Sequence, residues 1–269
     1  MSGSRHAADA ALRFSTGGGG ICYGLPVSEK QRADLLLVRR GLFDSRRKAQ
    51  DAIAAGRVAA NGAVVRRAAE ALPADAALSA AAAHPWVSRG GLKLEAGLDA
   101  FGFEANTKIC LDIGASTGGF TQVLLSRGAA KVYAVDVGCG QLHPTLRADP
   151  RVVAMEGTDA RALTAESLHL APDIITCDVS FISLRLVLPR VLPIAAPAAK
   201  LVCLIKPQFE AGRSRLVKGI VKDPAAHAAV CHQIECIVDD LGWTVLRVIP
   251  SPIDGVDGNR EFLLGASRL

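Results

Sequence analysis

The stretch from Ile109 to Leu124, ICLDIGASTGGFTQVL, constrains the fold of this chain more than any other. A short apolar run (Ile109, Cys110, Leu111) leads through Asp112 into a turn of small residues, and an apolar-periodic helix follows. Strand, glycine turn and helix start, in that order, describe a nucleotide-type cofactor site in an α/β fold. Downstream, apolar strand-like runs alternate with helical ones: 109–112, 132–136, 152–155, 174–177, 200–206, 243–249 and 262–264. Apolar strands separated by helices predict a doubly wound, mostly parallel sheet covered on both faces. The two late strands are expected to pair antiparallel at its end.

The turn itself narrows the cofactor. A dinucleotide site needs a middle glycine where pyrophosphate approaches the backbone. Here the turn runs Gly114, Ala115, Ser116, Thr117, Gly118, Gly119, Phe120, so that place is serine. Asp112, just before the turn, would repel pyrophosphate and attract an ammonium. S-adenosylmethionine, with an amino group, a sulfonium and no phosphate, satisfies both conditions. Asp136 closes the next strand roughly two dozen positions later, where an acceptor for ribose hydroxyls belongs. Asp159 follows the third strand. Each acid alone also reads as a helix cap or surface residue; as a set they line the edge where open α/β sheets bind ligands.

The net charge of +5 is unevenly placed. Between Lys30 and Arg67 stand ten Lys or Arg against three acids, an asymmetry that points to a polyanion. Leu35, Val38 and Leu42 fall at helical spacing, with Gly41 closing that helix. Ser45 can cap a second helix, with Ala49, Ala52 and Ile53 inward and Arg46, Arg47 and Lys48 crowded in its first turn. Cations there oppose the macrodipole unless an anion such as RNA phosphate is present. Asn61-Gly62 predicts a hairpin over Val58 to Val65. A solvated basic face would explain the same charges. The order of these elements resembles the alpha-L RNA-binding domain named after a small-subunit ribosomal protein. The resemblance implies structured RNA as partner and Arg32, Arg46, Arg47, Lys48 and Arg57 as contacts.

Four segments are therefore expected: a flexible extension over 1–29, the RNA-binding domain and a trailing alanine-rich segment over 30–83, a linker over 84–87, and the large α/β domain over 88–269. Trp86 either packs at the junction or stacks on a base. The seven cysteines form no CxxC pair and read as small buried hydrophobes, and the histidines show no metal-ligand spacing, so no metal is expected. No apolar run approaches the roughly 20 residues of a membrane span. Together with an N-terminus unlike a signal peptide, this predicts a cytoplasmic protein without membrane contact.

The chemistry is suggested after the fourth strand. Methyl transfer to nitrogen usually goes with an Asn/Asp-Pro-Pro-aromatic stretch, whereas this chain has Cys177-Asp178-Val179-Ser180-Phe181. A sugar hydroxyl is a poor nucleophile and needs a base or charges favouring the alkoxide. Lys206, ending an apolar strand and expected near other cations, is the candidate. The runs SRGGLKLE, LDIGASTGGF, VYAVDVGCGQL, LRADPRV, CDVSFISL, LIKPQFEAG and GNREFLL resemble the haemolysin-A (TlyA-type) branch of the FtsJ-like ribosomal RNA 2′-O-methyltransferases. That resemblance implies a Rossmann-like S-adenosylmethionine-dependent fold and ribosomal RNA or subunits as substrate, with a cytidine ribose as acceptor. It also implies a catalytic set of Lys93, Asp178, Lys206 and Glu261, in which Lys206 activates the hydroxyl. Two other readings stay open, an RNA-binding ribosome assembly factor and a pore-forming haemolysin.

Overall fold

The computed structural model describes residues 29–212, 215–255 and 258–268, and the chain divides into two compact units, Met1–Ala83 and His84–Leu269. The expected N-terminal extension up to residue 28, with Cys22, lies outside the described residues.

In the first unit, β1 (Lys30–Arg32) precedes α1 (Ala33–Arg39) and α2 (Arg46–Ala54). Ser45 caps α2 through its Oγ, which accepts from the Lys48 amide at 3.3 Å. Ala49, Ala52 and Ile53 are buried, as their spacing predicts. β2 (Val58–Ala60) and β3 (Ala63–Val64) form the expected hairpin, with Asn61 and Gly62 at φ 49° and 80°, the left-handed pair that a two-residue turn requires.

Two features depart from expectation. α1 turns Ala33, Leu36 and Leu37 inward, while Leu35 and Leu42 are 42% and 41% exposed. The uninterrupted run Leu35 to Val38 offers more than one apolar face, and the core with Phe43, Ile53 and Leu72 selects among them. The alanine-rich trailing segment is also structured: β4 (Ala71–Pro73) pairs antiparallel with β1, and β5 (Leu78–Ala80) with β2. Alanine has little strand preference, so these short strands are specified by their distant partners.

The second unit runs α3 (Gly90–Phe101), β6 (Ile109–Ile113), α4 (Gly119–Ser126), β7 (Lys131–Asp136), α5 (Pro144–Arg147), β8 (Val152–Glu156), β9 (Ile174–Cys177), α6 (Leu184–Val191), β10 (Lys200–Ile205), α7 (Pro207–Glu210), α8 (Pro224–Asp240), β11 (Trp243–Pro250) and β12 (Phe262–Arg268). The sheet order is β11-β12-β10-β9-β6-β7-β8, with β12 antiparallel to both its neighbours and the other pairs parallel. Side chains alternate between two cores. Leu111, Ile113, Tyr133 and Val135 pack with α6 and α8 on one face, and Cys110, Val132, Ala134 and Val202 with α3 and α4 on the other. The sheet is thus doubly wound, and its strand order reverses between β6 and β9. In such sheets ligands bind at that switch point, outside the strand C-termini. Cys110, Cys177 and Cys203 are buried as expected, but Cys139 and Cys236 are exposed.

Candidate active site

At the switch point two loops meet. Gly114 leaves β6 at φ 80°, and a Cβ there would lie 2.5 Å from the carbonyl oxygen of Asp178, the residue after β9. Only glycine combines that φ with that approach. At the other end of the loop Gly119 opens α4, where any side chain would collide with Ser88 Oγ, so the absence of one lets the start of α3 close on α4.

The strand-end acids have separate environments. Asp112 is fully buried, and its oxygens accept from Thr121 Oγ1 at 2.7 Å and Thr176 Oγ1 at 2.9 Å. Burial pushes its carboxyl up to about 6, against the two hydroxyl bonds. In the fold, Asp112 ties β6 to α4 and β9 beneath the loop. Asp136 does reach the loop, accepting from the Ser116 amide at 2.8 Å and the Gly138 amide at 2.7 Å. Asp159 caps the short 3-10 helix Ala160–Ala162 and is held by Arg161 at 2.6 Å, which keeps its carboxyl below the ordinary value.

Glu156, absent from the expected set, ends β8 beside Asp136 and accepts from the amides of Gln141 (2.7 Å) and Leu142 (3.0 Å) while pairing with Arg147. Those bonds, the Leu142 amide first, hold its carboxyl down at about 2. It shapes the second loop, from which Gln141 Oε1 accepts the Ser116 hydroxyl at 3.2 Å. An acid at the end of a third parallel strand was the available sequence signal.

The four expected catalytic residues form two ion pairs. Asp178 Oδ1 lies 2.6 Å from Lys206 Nζ, off the hydrogen-bond direction, and Lys206 donates to Ser180 Oγ at 2.8 Å. The nearest charged partner of Lys206 is thus an acid, where cations had been expected. Lys93, on α3, pairs with Glu261, and both are largely buried. The β10–β12 register runs to Ile205 opposite Phe262, so Lys206 and Glu261 stand one step past it, at the same edge. Ser180 was missed because its role depends on loop geometry. So was Phe181, which has φ 65°, is 92% exposed and lies tilted at 52° to the ring of Phe209, centroids 5.2 Å apart.

In the first unit, four of the five expected RNA contacts already have anions. Arg32 and Arg46 pair with Asp34 at 3.0 and 3.2 Å, Arg47 with Asp51 at 3.5 Å and Lys48 with Asp44 at 2.9 Å. Intramolecular carboxylates, rather than RNA alone, therefore offset the cations at the start of α2. Arg57 has no carboxylate partner among the described residues. Trp86 belongs to the second unit, its ring over Gly91 and its Nε1 donating to Glu95 at 3.3 Å.

The FtsJ-like methyltransferase family matches residues 86–268, and the S4 domain family matches residues 31–76. A 16S/23S rRNA (cytidine-2′-O)-methyltransferase, TlyA of Mycobacterium tuberculosis, is 44% identical over 88% of this chain and 90% of its own length. A solved structure named "Putative hemolysin from Streptococcus thermophilus" is 40% identical with TM-score 0.71, covering 89% of both chains. A "putative S-adenosylmethionine dependent methyltransferase from Listeria monocytogenes", 16% identical with TM-score 0.51 over 68% of this chain and 100% of its own, shares the fold.

Proposed function

We infer, since the chain belongs to the FtsJ-like methyltransferase family and carries an S4 domain, that it methylates a ribose 2′-hydroxyl, on cytidine, in ribosomal RNA. The observation that carries this reading is Lys206, held by Asp178 and Ser180, with the Asp178 backbone in turn against Gly114 of the glycine loop.

The residues around the loop fit S-adenosylmethionine. Loop residues 114–119 contain no Lys or Arg, and Asp136 keeps unused lone pairs beside two amide bonds. That chemistry favours a cationic, hydroxyl-bearing ligand over a phosphate. When bound, the cofactor supplies an electrophilic methyl on sulfur. Asp136 would accept its ribose hydroxyls, and the Gly114 to Phe120 backbone would border its amino-acid end. Asp159 would take part after exchanging its Arg161 bonds.

On the acceptor side, Lys206 Nζ, once it has released to solvent the proton that makes it a cation beside Asp178, would take up the proton of the 2′-hydroxyl as the oxygen–methyl bond forms and the sulfur–methyl bond breaks. Asp178 and Ser180 set the direction of Nζ. The buried Lys93–Glu261 pair stands beside Lys206, one step past the end of the β10–β12 register. Phe181 offers an exposed ring next to Ser180, suited to stacking on a base lifted out of its helix. The S4 unit, through Arg32, Arg46, Arg47, Lys48 and Arg57, would hold structured RNA. Segments 30–83 and 88–269 then divide binding from chemistry, with 84–87 between them.

Incubating purified protein and methyl-labelled cofactor with isolated ribosomal subunits tests this reading. Label should enter the RNA, in a bond that leaves the adjacent phosphodiester resistant to alkali. Unlabelled subunits from both sizes would overturn it.

A further inference from the structure

We propose that Asp34 is a positioning residue for RNA: a buried carboxylate that fixes the Arg32 and Arg46 guanidinium groups so that their outward edges form a preset clamp for backbone phosphates. This rests on the reading of the first unit as the RNA-docking part of an RNA methyltransferase.

Asp34 has no exposed surface, yet it collects donors from three elements. Arg32, on β1, approaches as a two-pronged fork, Nε to Oδ1 and Nη2 to Oδ2, both at 3.0 Å. From α2, Arg46 Nη2 reaches Oδ2 at 3.2 Å and Gln50 Nε2 reaches it at 2.8 Å. The Leu35 amide of α1 completes the shell at 3.0 Å. These bonds, that of Arg32 foremost, hold the carboxyl well below the usual range despite its burial.

The two arginines are only half-buried, their side chains 45% and 56% exposed. A guanidinium has five donors in one plane. Arg32 commits Nε and one Nη2 proton, and Arg46 commits Nη2 alone, leaving Nη1 of both outside the bonds to Asp34. One anion against two cations leaves net positive charge at the surface. The loop carrying Arg66 and Arg67 is anchored at the same place, since the Asp34 amide donates to Ala68 O at 3.1 Å and the Ala33 amide to Glu70 O at 2.8 Å. A carboxylate serving only to cap α1 would need none of these arginines. One that orders them in advance removes the entropy cost that free arginine side chains incur on meeting RNA.

The decisive variant is Asp34→Asn in the full chain, with binding to a labelled structured fragment of ribosomal RNA measured across salt concentrations. Removing a negative charge from a basic face should, by charge alone, tighten binding and steepen its salt dependence. The clamp predicts the opposite, on the order of tenfold weaker binding with a shallower salt slope. KM for methyl transfer should rise while kcat and cofactor binding stay unchanged. Arg46→Lys keeps the charge at an exposed position that does not threaten folding, and it should also weaken binding severalfold, because a lysine cannot present a planar fork. Should Asp34→Asn unfold the first unit in a thermal melt, Arg46→Lys decides. Binding equal to or tighter than the parent in a folded variant overturns the clamp. A parent protein that binds no ribosomal RNA overturns the RNA-methylation reading instead.

Discussion

The α-carbon of Gly114 faces the carbonyl oxygen of Asp178 so closely that a Cβ would stand 2.5 Å from it. The two residues end neighbouring parallel strands, β6 and β9, on either side of the point where the strand order reverses. Through this contact the loop proposed to hold the methyl donor is braced on the loop carrying the acid beside Lys206. A disturbance of one therefore reaches the other.

Gly114→Ala should accordingly act twice. Its φ of 80° strains an alanine, and its Cβ must push the Asp178 carbonyl aside. Stability should fall by about 1–3 kcal/mol, and kcat should fall with weakened cofactor affinity. Chemical denaturation and calorimetric titration of the cofactor check the two effects separately.

Lys93 and Glu261 form a pair with side chains 10% and 3% exposed. Lys93→Met or Glu261→Gln alone strands a buried charge or polar partner and should cost about 3–5 kcal/mol. The double variant should recover much of that stability and none of the methyl transfer. A double-mutant cycle in urea, with activity measured on the same preparations, makes the comparison.

For Asp112 the sign of the pH effect follows from its carboxyl standing at about 6 when folded, against an ordinary value of 3.8. Below the ordinary value both states hold the proton and the group contributes nothing. Between the two values only the folded state keeps it, so stability declines as pH rises. Above about 6 the penalty for burying the charge is complete, about 3 kcal/mol. Asp112→Asn removes that penalty while its amide can still serve both threonines. The advantage of the variant over the parent should therefore grow from about pH 4 to 6 and stay level beyond. An advantage independent of pH would mean that the carboxyl is not shifted.

Phe181 combines a left-handed φ of 65° with 92% exposure, so its backbone strain is not offset by burial. Phe181→Gly should leave stability unchanged or raise it by about 1 kcal/mol, while kcat/KM on ribosomal RNA drops and cofactor affinity holds. A variant as active as the parent would remove the stacking role.

Much of this was legible in the chain itself, for specific reasons. Strands buried on both faces leave unbroken apolar runs, which placed β6, β7, β9 and β10 within a residue or so of their ends. The Asn61-Gly62 turn and the Ser45 cap are local chemistry and needed no partner to be recognised. What depends on distant register was not legible. β4 and β5 exist because β1 and β2 lie beside them, and α1 faces inward by its Leu36 because Phe43 and Ile53 lie there. The place of Asp112 before the loop could be read in the sequence, but not the two threonines that enclose it. Asp178 beside Lys206 and the arginines around Asp34 were visible as residues, but their pairings were not.

Whether Lys206 serves transfer to a ribose hydroxyl is decided by nucleoside mass spectrometry of ribosomal RNA after reaction with the purified parent and with Lys206→Ala. 2′-O-methylcytidine is expected with the parent and a loss of at least about a hundredfold with the variant, while cofactor affinity stays within about twofold. A methyl group found on a base, or a Lys206→Ala protein as active as the parent, would contradict it.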